Sequence, residues 1–267
     1  MVEGDKKRIV LCADDFGMNP AIDEGILKLA QRGRLSATSC LVEGPSFASG
    51  AEALRHSGLQ LGLHLNFTES LGQPGLYMPV SSLIRQAYLR RLDADRVAAQ
   101  VRRQLDRYES LCGRAPDFVD GHQHVHQLPQ IRTVLLAELG KRYASTPPWL
   151  RNTRAGSLTG MPMRLRAKAA IIEHLGSHPF ARAARSKSFP LNRAFLGVYD
   201  FTGGQVAYWR WMDLWLAGAS EGDLIMCHPA AGSLPGDDLG PQRKAEFDVL
   251  QSDAMGAGLD RYGLTLA

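Results

Sequence analysis

The stretch Arg8-Ile9-Val10-Leu11-Cys12-Ala13-Asp14-Asp15-Phe16-Gly17 sets the reading of the whole chain. Residues 8–13 form an apolar run suited to a buried strand, and the run stops at two acids followed by Phe16-Gly17, a loop signal. A helix then begins. Asn19 is a suitable N-cap, Pro20 takes the first helical position, and Ile22, Ile26, Leu29 and Ala30 make one apolar stripe that Gly33 ends. A buried strand running straight into an amphipathic helix is the repeating unit of a parallel sheet.

The same unit recurs downstream. Residues 35–42 read as a second strand, followed by a short helix through Ala53 and Leu54, and residues 59–65 as a third strand. Residues 93–111 predict an amphipathic helix, because Val97, Val101, Leu105, Tyr108 and Leu111 share one face, and the helix leads into a strand at 117–120. Further elements are expected at 128–139, 195–198, 205–216, 223–227 and 241–255. Two segments do not fit the alternation. Residues 70–91, with Gly72, Pro74, Gly75 and Pro79, read as a loop over one end of the sheet. Residues 145–192 are rich in Arg, with Glu173 as the only acid, and read either as a solvated surface or as an electropositive cap facing a substrate.

A chain of 267 residues, 45% hydrophobic, is long enough to bury one sizeable core, so one domain over 1–267 is expected. A net charge of +4 does not by itself call for nucleic acid, although an anionic substrate stays open. Residues 1–8 mix both signs without the apolar core of a signal peptide, and charges interrupt every apolar run before the roughly 18 residues needed to cross a bilayer. A cytoplasmic protein with no integral membrane association is therefore expected. Cys12, Cys40, Cys112 and Cys227 lie far apart with no CxxC pair, which favours reduced structural thiols over a zinc-thiolate site.

The chemistry lies in a positional pattern. Asp14-Asp15, His64, His122-Gln123-His124-Val125-His126 and His228 all fall at or just past the C-terminal end of an apolar strand, the edge where parallel α/β proteins bind ligands. Singly, each has a bland explanation: the acids can form a turn, and His64 can be a satisfied core histidine. Three imidazoles within residues 122–126 are harder to accommodate unless something uses them. Taken together, the residues suit a site in which two histidines and one carboxylate hold a divalent ion and leave positions open for water and substrate. Such an ion acidifies its water and polarises a carbonyl, which amide hydrolysis near neutral pH requires.

Ala13-Asp14-Asp15-Phe16-Gly17, Gly62-Leu63-His64-Leu65, Asp120-Gly121-His122-Gln123-His124-Val125-His126 and Met226-Cys227-His228-Pro229 together resemble the YdjC/ChbG-like carbohydrate deacetylases, in order over nearly the whole chain. The HpnK-type proteins of hopanoid biosynthesis share these signatures. The resemblance implies a TIM-barrel-like (β/α) barrel, irregular and with insertions at the C-terminal rim of the strands. It also implies removal of an N-acetyl group from an acetamido sugar, either chitooligosaccharide-like or glycolipid-linked. By the same resemblance, His64, His122 and Asp15 hold one metal ion, Asp14 is the general base and His228 the general acid.

Some assignments stay open at this point. Asp14 and Asp15 can exchange roles; as neighbours in an extended segment they point to opposite sides, so both are not expected to be ligands. His122, His124 and His126 share a face if the strand continues past Gly121. His124 and His126 then line the substrate pocket or hydrogen-bond a ligand, and Asp120 stands behind one. Imidazole-rich coordination suits zinc or cobalt, and the resemblance also allows magnesium. Met161, Met163, Leu165, Tyr208, Trp209, Trp211 and Trp215 read mainly as packing residues, with Trp149 the better sugar-stacking candidate. Two other functions compete: a metal-dependent phosphoesterase, which often uses two ions, and a non-catalytic carbohydrate- or polyanion-binding module working through residues 145–192. A homodimer is compatible with the sequence but not required by it.

Overall fold

β1 (Lys7–Phe16) runs through the centre of a wholly parallel sheet in a computed structural model that describes residues 6–267. The non-secretory reading of the first residues therefore lies, for 1–5, outside the described residues. β1 has β2 (Ala37–Cys40) on one side and β7 (Leu224–Cys227) on the other. Beyond β2 come β3 (Gln60–Leu65), β4 (Phe118–Gly121) and the two-residue β5 (Trp149–Leu150); beyond β7 comes β6 (Phe195–Leu196). β8 (Leu264–Leu266) pairs with the beginning of β1. The two ends of the sheet are linked by isolated parallel bridges, Leu150 to Leu191 and Ala155 to Phe195. The sheet thus curls into an irregular, TIM-barrel-like α/β fold.

Helices cover its outer face. α1 (Pro20–Gln31) starts as the sequence dictates, with the Asn19 side chain accepting from Ile22 N–H at 3.0 Å. α2 (Phe47–Arg55) follows β2. α3 (Val80–Tyr88) and α4 (Ala94–Cys112) lie between β3 and β4, with Asp93 capping α4. α5 (Ile131–Arg142), α6 (Met163–His174), α7 (Ser177–Arg185), α8 (Gly204–Gly218), α9 (Gly240–Gln251) and α10 (Asp253–Arg261) complete the shell. Ile9, Leu11 and Ala13 of β1 pack towards the helices. The residues that alternate with such positions, among them Cys12, Phe118, Leu224 and Met226, pack on one another inside the curl. None of the helices among the described residues is long and apolar enough to cross a membrane.

Several elements depart from the sequence reading. Residues 70–91 are not wholly a loop: α3 forms there, burying only Leu83 and Ala87, too short a stripe to stand out beside its Gly- and Pro-rich flank. Residues 145–192 contain β5, α6 and α7. The helix expected over 241–255 breaks at Ser252, whose extended backbone separates α9 from α10. Trp149 is not a sugar platform. Its ring stacks on Phe118 with centroids 4.2 Å apart and its indole N–H donates to Gln60 Oε1 at 3.0 Å, all at the starting ends of β3, β4 and β5, the rim opposite the histidines. Tyr208, Trp211 and Trp215 are buried, as packing residues should be.

The Phe118–Trp149 stack depends on Gly62 of β3, where an added Cβ would fall 2.3–2.6 Å from the Phe118 ring. Gly62→Ala is expected to displace both rings and lower stability by about 1–3 kcal/mol, read from urea unfolding. An unchanged midpoint would show that Phe118 moves aside freely.

Candidate active site

The strand ends bring the chemically active residues to one rim. Ala13 pairs with Cys227, so Asp14 and His228 emerge side by side from β1 and β7; His64 pairs with Asp120 across β3 and β4. At Asp14-Asp15 the pairing of β1 with β2 shifts by one residue, and Asp15 adopts a left-handed backbone, φ 73°. This bulge breaks the simple alternation expected of neighbouring residues and re-aims the two carboxylates. Asp15 faces His64, His122 and Arg243, whereas Asp14 faces Arg151 and His228.

Asp15 Oδ1 lies 3.0 Å from His122 Nδ1 and 3.5 Å from His64 Nε2, and one ligand atom from each of the three side chains falls within 4.8 Å of the others. Both His64 and Asp15 are buried and His122 nearly so. The far nitrogen of His64, Nδ1, donates to Asp120 Oδ1 at 2.7 Å, and Ser39 Oγ donates to the same oxygen. That bond fixes the tautomer which turns the Nε2 lone pair towards Asp15, the arrangement that orients metal-binding imidazoles. The other oxygen of Asp15 accepts from Arg243 Nη2 at 2.8 Å.

Electrostatics favour a cation at this point. Asp14, Asp15 and Asp120 face two guanidiniums, Arg151 and Arg243, so with neutral histidines one negative charge is left over. Burial alone would lower the His64 imidazole, yet Asp120 and Asp14 push it up to about 10. Burial would likewise raise Asp15, but Arg243 and His122 hold its carboxyl well below the usual range. Two nitrogen donors and one ionised carboxylate, oriented from behind, fit a single divalent ion. A second acidic cluster, Cys12, Asp14 and Asp120, does not. Arg151 Nη2 already sits 3.1 Å from Cys12 Sγ and 2.6 Å from both Asp14 Oδ1 and Asp120 Oδ2. No second ion site of the kind a two-metal phosphoesterase uses is therefore left among the described residues.

The three histidines of residues 122–126 separate. The chain turns from β4 directly into a 3₁₀ turn, His122–Gln127, with Gln123 and His124 in left-handed conformations, so the shared face expected of a continuing strand does not form. His122 joins Asp15. His124 lines the cavity next to the site, its ring edge-on to Phe195 at 5.3 Å, and burial holds it well below the usual imidazole range. His126 lies behind the cavity wall, where its Nε2–H donates to the Arg151 carbonyl at 2.9 Å; burial lowers it to about 4. His228 Nε2 is 4.0 Å from Asp14 Oδ2. Burial holds this imidazole near 4 against the pull of Asp15 and Asp14.

Four partners escaped the sequence reading. Arg151 follows β5 and grips both oxygens of Asp14 at 2.6 Å; Arg243 on α9 grips Asp15. Glu246, one turn beyond Arg243, accepts from the His228 backbone N–H and the Tyr199 hydroxyl, each at 2.5 Å, and burial raises it to about 7. Ser39 braces Asp120 and His64. Only the Asp and His residues advertise themselves in the sequence, since a buried arginine looks like an exposed one until the fold is known.

The site forms one end of a cavity of about 400 Å³ whose walls are largely apolar: Val80 and Ile84 of α3, Ile172 of α6 and Leu175 just after it, with Val198 and Phe201. Lys168 of α6 adds a cation there, its Nζ donating to the Tyr199 carbonyl at 2.6 Å.

Comparison with known proteins gives matches along the full length. Residues 8–261 match the family model described as YdjC-like protein. The human carbohydrate deacetylase is 30% identical over 300 aligned positions, covering 98% of this chain and 90% of the relative. The chitooligosaccharide deacetylase of Enterobacter sp. (strain 638) is 25% identical, with 97% of each chain covered. Among solved structures, an Enterococcus faecalis V583 protein provisionally described as a cellobiose-phosphate cleavage protein shares the fold, with a TM-score of 0.71, 22% identity, and 98% and 97% of the two chains covered.

Removing the carboxylate behind His64 tests the metal fit. Asp120→Asn is expected to weaken Zn²⁺ affinity roughly tenfold to hundredfold, measured by calorimetric titration. Parent affinity in this variant would mean that His64 does not depend on Asp120 to bind an ion.

Proposed function

The chain belongs to the YdjC-like protein family, and on that footing we propose that residues 1–267 act as one metal-dependent carbohydrate deacetylase domain that hydrolyses the N-acetyl group of an acetamido sugar in the cytoplasm. The observation that carries the reading is the convergence of Asp15, His64 and His122 within ligand distance of one another, with Asp14 and His228 beside them at the base of a cavity. Asp15, His64 and His122 are assigned as the ligands of one divalent ion, zinc or magnesium. When bound, that ion supplies Lewis-acid polarisation of the amide carbonyl and acidifies water.

The side chains account for the proton movements. Asp14, pinned by two bonds from Arg151, presents Oδ2 as the acceptor for the proton of the attacking water. His228 Nε2, 4.0 Å from that oxygen, is placed to pass the proton taken up by Asp14 to the departing nitrogen, so that amide and water become acetic acid and amine with one proton carried across the site. Glu246 and Tyr199 hold the His228 backbone in place, and Arg243 keeps Asp15 aimed at the histidines. Phe201 meets the His228 ring edge-on at 5.0 Å and walls that side from water.

For the substrate, both relatives with a named activity are carbohydrate deacetylases, one of them acting on chitooligosaccharides by name. The apolar walls of the cavity favour a sugar with an apolar substituent, the glycolipid-linked member of the two classes, because a bare oligosaccharide would leave those walls wet. His124 and Lys168, with Gln123 and Gln127, are polar groups placed to orient it.

Asp14→Asn and His228→Ala are each expected to cut acetate release from N-acetylated amino sugars at least about a hundredfold, while both variants still bind zinc. Turnover at the parent rate in either would remove that residue from the mechanism.

A further inference from the structure

The segment 145–192 holds eight of the 31 Lys and Arg residues and one of the 27 acids, so it carries a net charge of +7 while the rest of the chain carries −3. Arg151 is buried against Asp14 and Asp120, but most of the charge is not absorbed in this way. Arg166, Arg182, Arg185 and Lys187 are exposed and have no acidic partner among the described residues, whereas Arg164 pairs with Asp200. α6 and α7 are held together where His178 pairs with Glu173 at 3.0 Å and meets the His174 ring, which sets the basic α7 against the end of α6.

α6 has an unusual surface. One side, through Lys168 and Ile172, walls the cavity, and Leu165 and Ala169 are buried. The side left to solvent is also apolar: Met163 is 73% and Ile171 61% exposed, with Ala167 exposed between them. A helix that faces water is normally polar on its outer side. The same combination recurs on α3, the other helix that walls the cavity. Ile84 lines the cavity, and just beyond it Tyr88 and Leu89 are 48% and 53% exposed beside Arg85, Arg90 and Arg91, which are exposed and have no acidic partner among the described residues. Exposed apolar side chains interleaved with unpaired cations are what an anionic lipid surface recognises: the rings and aliphatic chains enter the headgroup region while the cations stay with the phosphates.

We propose that the face formed by α6, α7 and the end of α3 docks peripherally on an anionic phospholipid bilayer, which places the opening of the apolar cavity against the membrane. The charge complementarity selects this occupant over a second copy of the chain, whose matching face would repel. The docking is independent of the catalytic assignment, since none of Met163, Ile171, Arg166, Arg182 or Arg185 borders the cavity.

The test is co-sedimentation of the full chain with mixed phosphatidylcholine and phosphatidylglycerol vesicles, and with pure phosphatidylcholine vesicles. Binding to the anionic vesicles is expected to be at least about tenfold tighter and to weaken with salt. Arg166→Glu/Arg182→Glu/Arg185→Glu should abolish the preference, and Met163→Ser/Ile171→Ser should weaken binding roughly tenfold, with circular dichroism unchanged in both. Failure to bind, or equal binding to both kinds of vesicle, overturns the proposal. So does vesicle binding that is untouched by Met163→Ser/Ile171→Ser and competed by an oligonucleotide, which would make the face a general polyanion site.

Discussion

Three buried carboxylates at one rim of the barrel repel one another, and the local structure is arranged around that repulsion. Arg151 answers Asp14 and Asp120 together, and Arg243 answers Asp15. Losing either guanidinium would strand an uncompensated buried charge, an effect typically of about 3–5 kcal/mol. The bulge in β1 serves the same constraint, because adjacent acids of a regular strand point to opposite faces and the break lets both reach the rim with different partners. His126, lodged behind the wall, contributes by fixing the backbone of Arg151.

Charge balance also connects the fold to the chemistry. The two arginines neutralise most of the acidity and leave one unit on the side of Asp14 and Asp120, which share Arg151, and these two carboxylates act on His64 where the nitrogen donors converge. α9 joins the two halves, since Arg243 reaches the ligand side and Glu246, one turn further on, reaches the backbone of His228. A helix outside the barrel thereby sets the spacing between the proposed ion site and the pair proposed to transfer protons.

The strands and the carboxylate and imidazole residues at their ends were legible in the sequence because apolar runs that stop at Asp or His leave a sharp chemical edge. β1, α1 with its Asn19 cap, β3 and α4 fall where the periodicity puts them. What stayed hidden depends on tertiary contact. The two-residue β5 carries too little pattern, although the equally short β6 begins where the run at 195–198 is expected, and α3 and α6 are not buried along a full stripe. Whether the strand continues through residues 122–126 stayed open because nothing in the sequence announces left-handed Gln123 and His124. Arg151 sits in a run of arginines that are otherwise exposed, so its burial follows only from the position of Asp14 and Asp120 across the rim.

The central claim is that Asp15, His64 and His122 meet around one ion, and anomalous diffraction from crystals grown with zinc measures it directly. The account predicts a single strong peak within about 2.0–2.2 Å of Asp15 Oδ1, His64 Nε2 and His122 Nδ1. A peak bonded elsewhere, or these three side chains too far apart to share one ion, would contradict it.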